Sequence, residues 1–241
     1  MKMKQIVACA ALVAASGVAA PAYAGASANV GLFSSYMFRG VNQNPLSTDL
    51  TAIQGGLDYA HDSGLYVGTW LSNIDFAGYT DTVTYETDFY GGYTFKAGEV
   101  GLDVGALHYY YADDSKLDTT EFYVGATYGP VTGKVFYTSD YFGTDEDGYY
   151  YTVSGSLPVM DGFFTVGANV GYSVGDGPKL FVGSLYDSAP EDSYLDYGVT
   201  ISKSFDPGYT FSLAYIGSNL DGDIAKEQER VVFGVKKVFS F

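Results

Sequence analysis

Long and short connections alternate along this chain from one end to the other, and few architectures obey such a rule. After residue 26, segments of about ten residues alternate apolar with small or polar side chains, separated by clusters of Gly, Asp, Pro and Ser. A period of two predicts strands with two unlike faces. Twelve segments fit it, at about 28–39, 50–60, 64–74, 84–95, 98–111, 119–128, 131–141, 148–158, 162–173, 194–205, 208–217 and 229–241. The connections at 61–64, 96–98, Gly129-Pro130, Asp161-Gly162 and Asp206-Pro207-Gly208 are tight, with Gly and Pro supplying turn geometry. Between them lie longer links at 40–49, 75–82, 113–118, 143–147, 174–193 and 218–228. Transmembrane barrels show this pattern, with short turns on the periplasmic side and longer loops outside. The sequence therefore predicts an all-β chain, a transmembrane antiparallel up-and-down β-barrel of about twelve strands. Fourteen is the alternative, since Leu180–Leu185 in the 174–193 link is apolar enough for an extra hairpin or a constriction. No segment shows a helical repeat of comparable strength.

The faces agree with that reading. In 84–95 one face is Tyr85, Phe89, Tyr93 and Phe95, and the other Glu86, Asp88, Tyr90 and Gly92. In 98–111 Val100, Leu102, Val104, Ala106 and Tyr110 oppose Gly101, Asp103, Gly105 and Tyr109. In 194–205 Leu195, Tyr197, Val199 and Ile201 oppose Asp196, Gly198, Thr200 and Ser202. A soluble sandwich also alternates, but here the strand charges keep to one face, which in a barrel is the lumen. Aromatic clusters at 109–111, 141–142 and 149–151 sit beside long links, as an interfacial girdle would; ordinary strand aromatics are the plainer reading. The last segment places Val231, Phe233, Val235, Phe239 and the terminal Phe241 on one face, with Lys237 near the boundary where its stem can snorkel. A terminal strand ending on an aromatic residue is what the outer-membrane assembly machinery recognises, and this strand must pair with the first to remove both sheet edges.

The N-terminus predicts the compartment. Lys2 and Lys4, the apolar stretch 6–20 and Ala22-Tyr23-Ala24 have the layout of a secretory signal peptide, with cleavage after Ala24. We therefore expect residues 1–24 as a cleavable signal and 25–241 as one barrel domain in the bacterial outer membrane. The single Cys9 falls inside the signal, so the mature chain offers no disulfide and no thiolate. Without Lys2 and Lys4, 10 basic side chains face 28 acidic ones, a formal net charge of −18. Nucleic acid is excluded as a partner, because binding it requires cations to neutralise phosphates. Disorder is excluded by 24 Tyr and 16 Phe.

Catalytic chemistry has little to draw on. His61 reads as an exposed turn residue. His108 falls on the outward register at the height of Ser139, the pair a barrel lipase would need, yet a whole strand separates them. The loop acids Asp113-Asp114, Asp145-Glu146-Asp147 and Asp221-Gly222-Asp223 lack the ligand spacing of a calcium loop and read as solvated charge, with weak divalent binding at lipopolysaccharide phosphates as the sharper option. No enzyme activity, cofactor or metal is expected. The inward set is the functional candidate: Arg39, Asp58, Glu86, Asp88, Asp103, Glu121, Lys134, Asp140 and Asp196 are expected to line a pore, and seven of these nine are acidic. Rings of one sign favour counter-ions, so the expectation is a porin passing small polar solutes or ions through a cation-favouring lumen. A non-conducting structural or adhesive barrel with acidic loops, its inward charges simply paired, is the alternative. Expected partners are outer-membrane lipid, lipopolysaccharide, the assembly machinery through Phe241, and small solutes or ions.

One stretch also resembles a known family. Asn29-Val30-Gly31, Tyr36, Phe38-Arg39-Gly40 and Gln54-Gly55-Gly56-Leu57-Asp58-Tyr59 resemble the TorF-type porins of proteobacteria. So do Gly64, Tyr66, Gly68, Trp70, Ser72-Asn73 and then Glu86, Asp88 and Tyr90. The likeness covers residues 28–95 and implies an outer-membrane barrel with a pore; it carries no catalytic residues with it.

Overall fold

A computed structural model describes residues 24–44, 51–75, 83–186, 192–220 and 229–241 of the chain. The expected signal, all but Ala24, and the Asp221–Asp223 pair lie outside them. Twelve of the described strands pair antiparallel in sequence order and close on themselves. They are β1 (Gly25–Phe33), β4 (Ala52–Ala60), β5 (Leu65–Asn73), β6 (Tyr85–Ala97), β7 (Val100–Tyr110), β8 (Thr119–Tyr128), β9 (Val131–Thr138), β10 (Gly148–Val159), β11 (Phe164–Val174), β12 (Ser193–Phe205), β13 (Tyr209–Ser218) and β14 (Arg230–Ser240). Closure is made by β1, which pairs β4 on one side and β14 on the other, Val30 lying opposite Lys237 and Leu32 opposite Val235. No edge is left with unpaired N–H and C=O groups. The links between barrel strands alternate long and short as expected, so the barrel has a long-connection end and a short-turn end that also holds Gly25 and Phe241.

The wall is built from period-two sequence. Val, Leu, Tyr and Phe occupy the outward positions, as with Leu57 at 59 % and Phe233 at 63 % exposure. The inward positions between them are small, polar or charged, such as Gly125, Thr200 and Asn169. Inward glycines let rings lie flat across the lumen: a Cβ on Gly171 would collide with both Tyr150 and Asp196.

Three local expectations are corrected. The strand read at 28–39 stops at Phe33, after which the chain turns inward. Residues 36–44 are all buried, which no wall strand with an outward face can be. They form a small hairpin of β2 (Met37–Phe38) and β3 (Val41–Asn42). Second, the 174–193 link supplies a helix, α1 (Asp176–Tyr186), rather than two more strands. Asp176 and Pro178 suit its first turn, where acid complements the dipole and no proline N–H is needed. Its own Phe181 and Val182 are buried. Third, the aromatic clusters do not form one outward girdle. Tyr110, Tyr149 and Tyr151 face outward, whereas Tyr109, Tyr111, Tyr141, Phe142 and Tyr150 are buried inside.

Candidate functional site

The inward hairpin puts a cation into the barrel. Arg39 and Gly40 form its two-residue tip, with φ of 48° and 73°, the sign that a type I′ turn demands of both. Gly40 is required by more than its dihedral, because a Cβ there would lie 2.8 Å from Asp196 Cβ and 2.9 Å from the Gly217 carbonyl. The Arg39 side chain, 2 % exposed, donates from Nη2 to Glu121 Oε2 at 2.6 Å. Its guanidinium lies 4.1 Å from the Tyr150 ring centroid, 4.8 Å from Phe38 and 5.4 Å from Phe136. Aromatic faces and one carboxylate thus replace the water that a buried cation loses.

Around this contact the carboxylates at the long-connection end are held by tyrosines. Glu121 also accepts from Tyr109 Oη at 3.1 Å. Glu86 accepts from Tyr36 Oη at 2.9 Å and from Tyr111 Oη at 2.7 Å. Asp196 accepts from Tyr150 Oη at 3.2 Å and Asn169 Nδ2 at 3.4 Å. Asp88 is 3 % exposed and stands opposite Trp70, with no partner for Oδ1 among the described residues. An aromatic layer seals this end: Phe142 packs against Phe38 at 5.8 Å, Tyr109 at 5.1 Å and Phe181 of α1 at 4.9 Å. Burial pushes the loop hydroxyl of Tyr141 up to about 12, against the pull of the Arg39 cation.

Nearer the short-turn end the interior is less tightly filled. Lys134 Nζ donates to Asp103 Oδ2 at 2.8 Å, both side chains being 13–15 % exposed. Asp103 also accepts from Tyr66 Oη at 2.7 Å, Tyr66 is hydrogen-bonded to Tyr123, and Tyr90 donates to Asp58. Asp58 and Tyr90 are partly exposed. The molecule therefore has a packed upper tier and a polar vestibule beneath it.

Of the nine charges expected in the lumen, Asp58, Glu86, Asp88, Asp103, Glu121, Lys134 and Asp196 point inward from wall strands. Arg39 also lies inside but on the hairpin tip, not on a strand. Asp140 is corrected: it falls beyond β9, where Oδ1 accepts from Asp145 N at 3.0 Å and its carbonyl from Thr119 and Thr138 hydroxyls, organising the 139–147 loop. The donors Tyr36, Tyr66, Tyr90, Tyr109, Tyr111 and Tyr150 were not part of that expected set; strand parity marks Tyr66, Tyr90, Tyr109 and Tyr150 as inward, whereas Tyr36 and Tyr111 lie beyond the ends of β1 and β7. The inward Lys236 was missed too. His108 Nδ1 lies 2.9 Å from Thr120 Oγ1, not against Ser139, and His61 Nδ1 lies 2.9 Å from Ser63 Oγ. Among the described residues no group of three or more His, Cys, Asp or Glu is placed to hold a metal ion.

The barrel is similar to solved porin structures. The KdgM porin matches with a TM-score of 0.55 at 10 % identity, over 89 % of this chain and 99 % of that one. A structure of the KdgM porin in complex with disordered oligogalacturonate matches equally, over 89 % and 98 %. The NanC porin matches with a TM-score of 0.53 at 10 % identity, over 90 % and 100 %. At such identities the likeness is one of fold. No curated protein matches the chain by sequence. The profile of the Gcw_chp family, described as bacterial protein of unknown function, matches residues 16–241, and the chain belongs to that family.

Proposed function

We propose that the chain is an outer-membrane channel for small polar solutes or ions, closed at its long-connection end by its own residues 34–44. The observation that carries this reading is the two-tier interior, in which the Arg39 hairpin tip locks onto Glu121 above a polar vestibule of Asp58, Asp103 and Lys134. A barrel whose only task were to be a rigid wall could fill twelve strands with apolar side chains. This one keeps six carboxylates and Lys134 facing inward from its strands and spends an eleven-residue segment on blocking one end. The porin-like fold and the TorF-type resemblance of residues 28–95 point the same way. Residues 1–24 act as the cleaved export signal, and the β14 strand ending at Phe241 is read by the assembly machinery. Lipid contacts the outward aromatic belt, and lipopolysaccharide surrounds the acidic long-connection end.

The packed aromatic layer favours one second reading, a non-conducting structural barrel. Planar-bilayer recording of the refolded mature chain separates the two. The intact chain should show rare, small conductance steps, and a variant lacking residues 35–43 should show frequent, larger ones. Silence from both proteins would leave the structural barrel as the answer.

A further inference from the structure

We infer that the outward face of β12, β13 and β14 at the short-turn end binds an anionic phospholipid. Its headgroup phosphate lies between Lys203 and Lys237, and an acyl chain fills the groove beside them. The inference rests on the membrane-barrel reading. Among the described residues, Lys203 and Lys237 are the only cations that strand parity places on the outward face of the wall. They are also neighbours. Lys203 pairs with Phe211, Phe211 with Val235, and Tyr209 with Lys237, so the two lysines flank β13 across two strand spacings and a two-residue offset, about 12 Å between Cα atoms. Neither makes an ion pair among the described residues. The nearest acids in sequence are turn residues: Asp206 follows β12, and Asp161 precedes Phe163, against which Lys203 lies.

Aromatic rings hold both cations in place. Lys203 Nζ is 2.7 Å from the Phe163 ring centroid and 5.2 Å from Phe205; Lys237 Nζ is 4.4 Å from Tyr209 and 5.4 Å from Phe239. Directly inward along the same face runs a groove of about 480 Å³, lined by Leu32, Ile201, Leu213, Phe233 and Val235 with Lys203 at its rim. Two ammonium groups at the membrane boundary above an apolar furrow match a lipid with a negative headgroup and a flexible tail. Elsewhere the described wall offers apolar surface without a cation.

Native mass spectrometry of the refolded barrel in neutral detergent, with phosphatidylglycerol or phosphatidylcholine added, tests this. One phosphatidylglycerol should be retained in preference to phosphatidylcholine by about thirtyfold, at about fivefold per lysine. Lys203→Gln with Lys237→Gln should erase the preference, Lys96→Gln, inward at the same end, should keep it, and millimolar inorganic phosphate should not displace the lipid. Equal retention of the two lipids by the wild type overturns the site, as does an undiminished preference in the double variant; the wild-type headgroup comparison decides alone should that variant not fold. Loss of heat-modifiable gel migration in the wild type overturns the barrel reading itself, a result distinct from a folded barrel without headgroup preference.

Discussion

Arg39 carries two costs at once, a left-handed backbone and a buried charge. A non-glycine residue at φ 48° gives up about 1–2 kcal/mol of conformational preference, and burying a guanidinium costs several kcal/mol more unless it is paired. The 2.6 Å contact to Glu121 and the three surrounding rings are what offset those terms. Removing one partner of such a pair leaves an uncompensated charge, which is worse than removing both. Glu121→Gln should therefore destabilise the folded barrel by about 3 kcal/mol. Arg39→Met combined with Glu121→Leu should recover most of that. Urea-unfolding midpoints in detergent micelles check both, and a Glu121→Gln midpoint equal to the wild type would show that the pair does not hold the hairpin.

The hairpin of β2 and β3 is also the element that sequence reasoning described least well. The wall strands were legible because their outward positions must be apolar and their inward ones need not be, so the period of two survives in every strand. Residues 36–39 imitate that period with Tyr36, Phe38 and then Arg39-Gly40. The signal that breaks the imitation is Met37, which makes three apolar residues in a row and is fully buried. The same limit hid α1, whose eleven residues include Gly177, Pro178 and Gly183 and so carry only a weak helical repeat. For the site, parity placed seven wall charges correctly, while Asp140 was lost because β9 ends two residues before it. The hairpin's position can be followed without a label, because Trp70 is the sole tryptophan and its ring lies 5.3 Å from that of Tyr36. Arg39→Glu sets like charge against Glu121 and Asp196 and should expel the hairpin. Its fluorescence should move to longer wavelength as Trp70 meets water, with heat-modifiable migration retained. An unshifted spectrum in a folded variant means that the hairpin does not depend on the Arg39 charge.

At the scale of the whole molecule the barrel is asymmetric, sealed by aromatics at one end and open to charge at the other. With the hairpin removed Arg39 goes with it, so six inward carboxylates set a cation preference that Asp58, Asp103 and Lys134 tune in the vestibule. Low-dielectric walls focus that negative charge along the lumen. The three side chains allow a graded test, because each substitution changes the local sum by one. In the background lacking residues 35–43, Lys134→Met should raise cation preference and Asp58→Asn or Asp103→Asn should reduce it. Asp58→Asn with Asp103→Asn should reduce it furthest while leaving it cationic, because Glu86, Asp88, Glu121 and Asp196 still face inward. Reversal potentials across a potassium chloride gradient report the order directly. The spread should widen from 1 M to 0.1 M salt, as the screening length grows from about 3 Å to about 10 Å and begins to span the lumen. A series that follows the charge of the long-connection loops instead, and ignores these three residues, would move the selectivity determinant out of the vestibule.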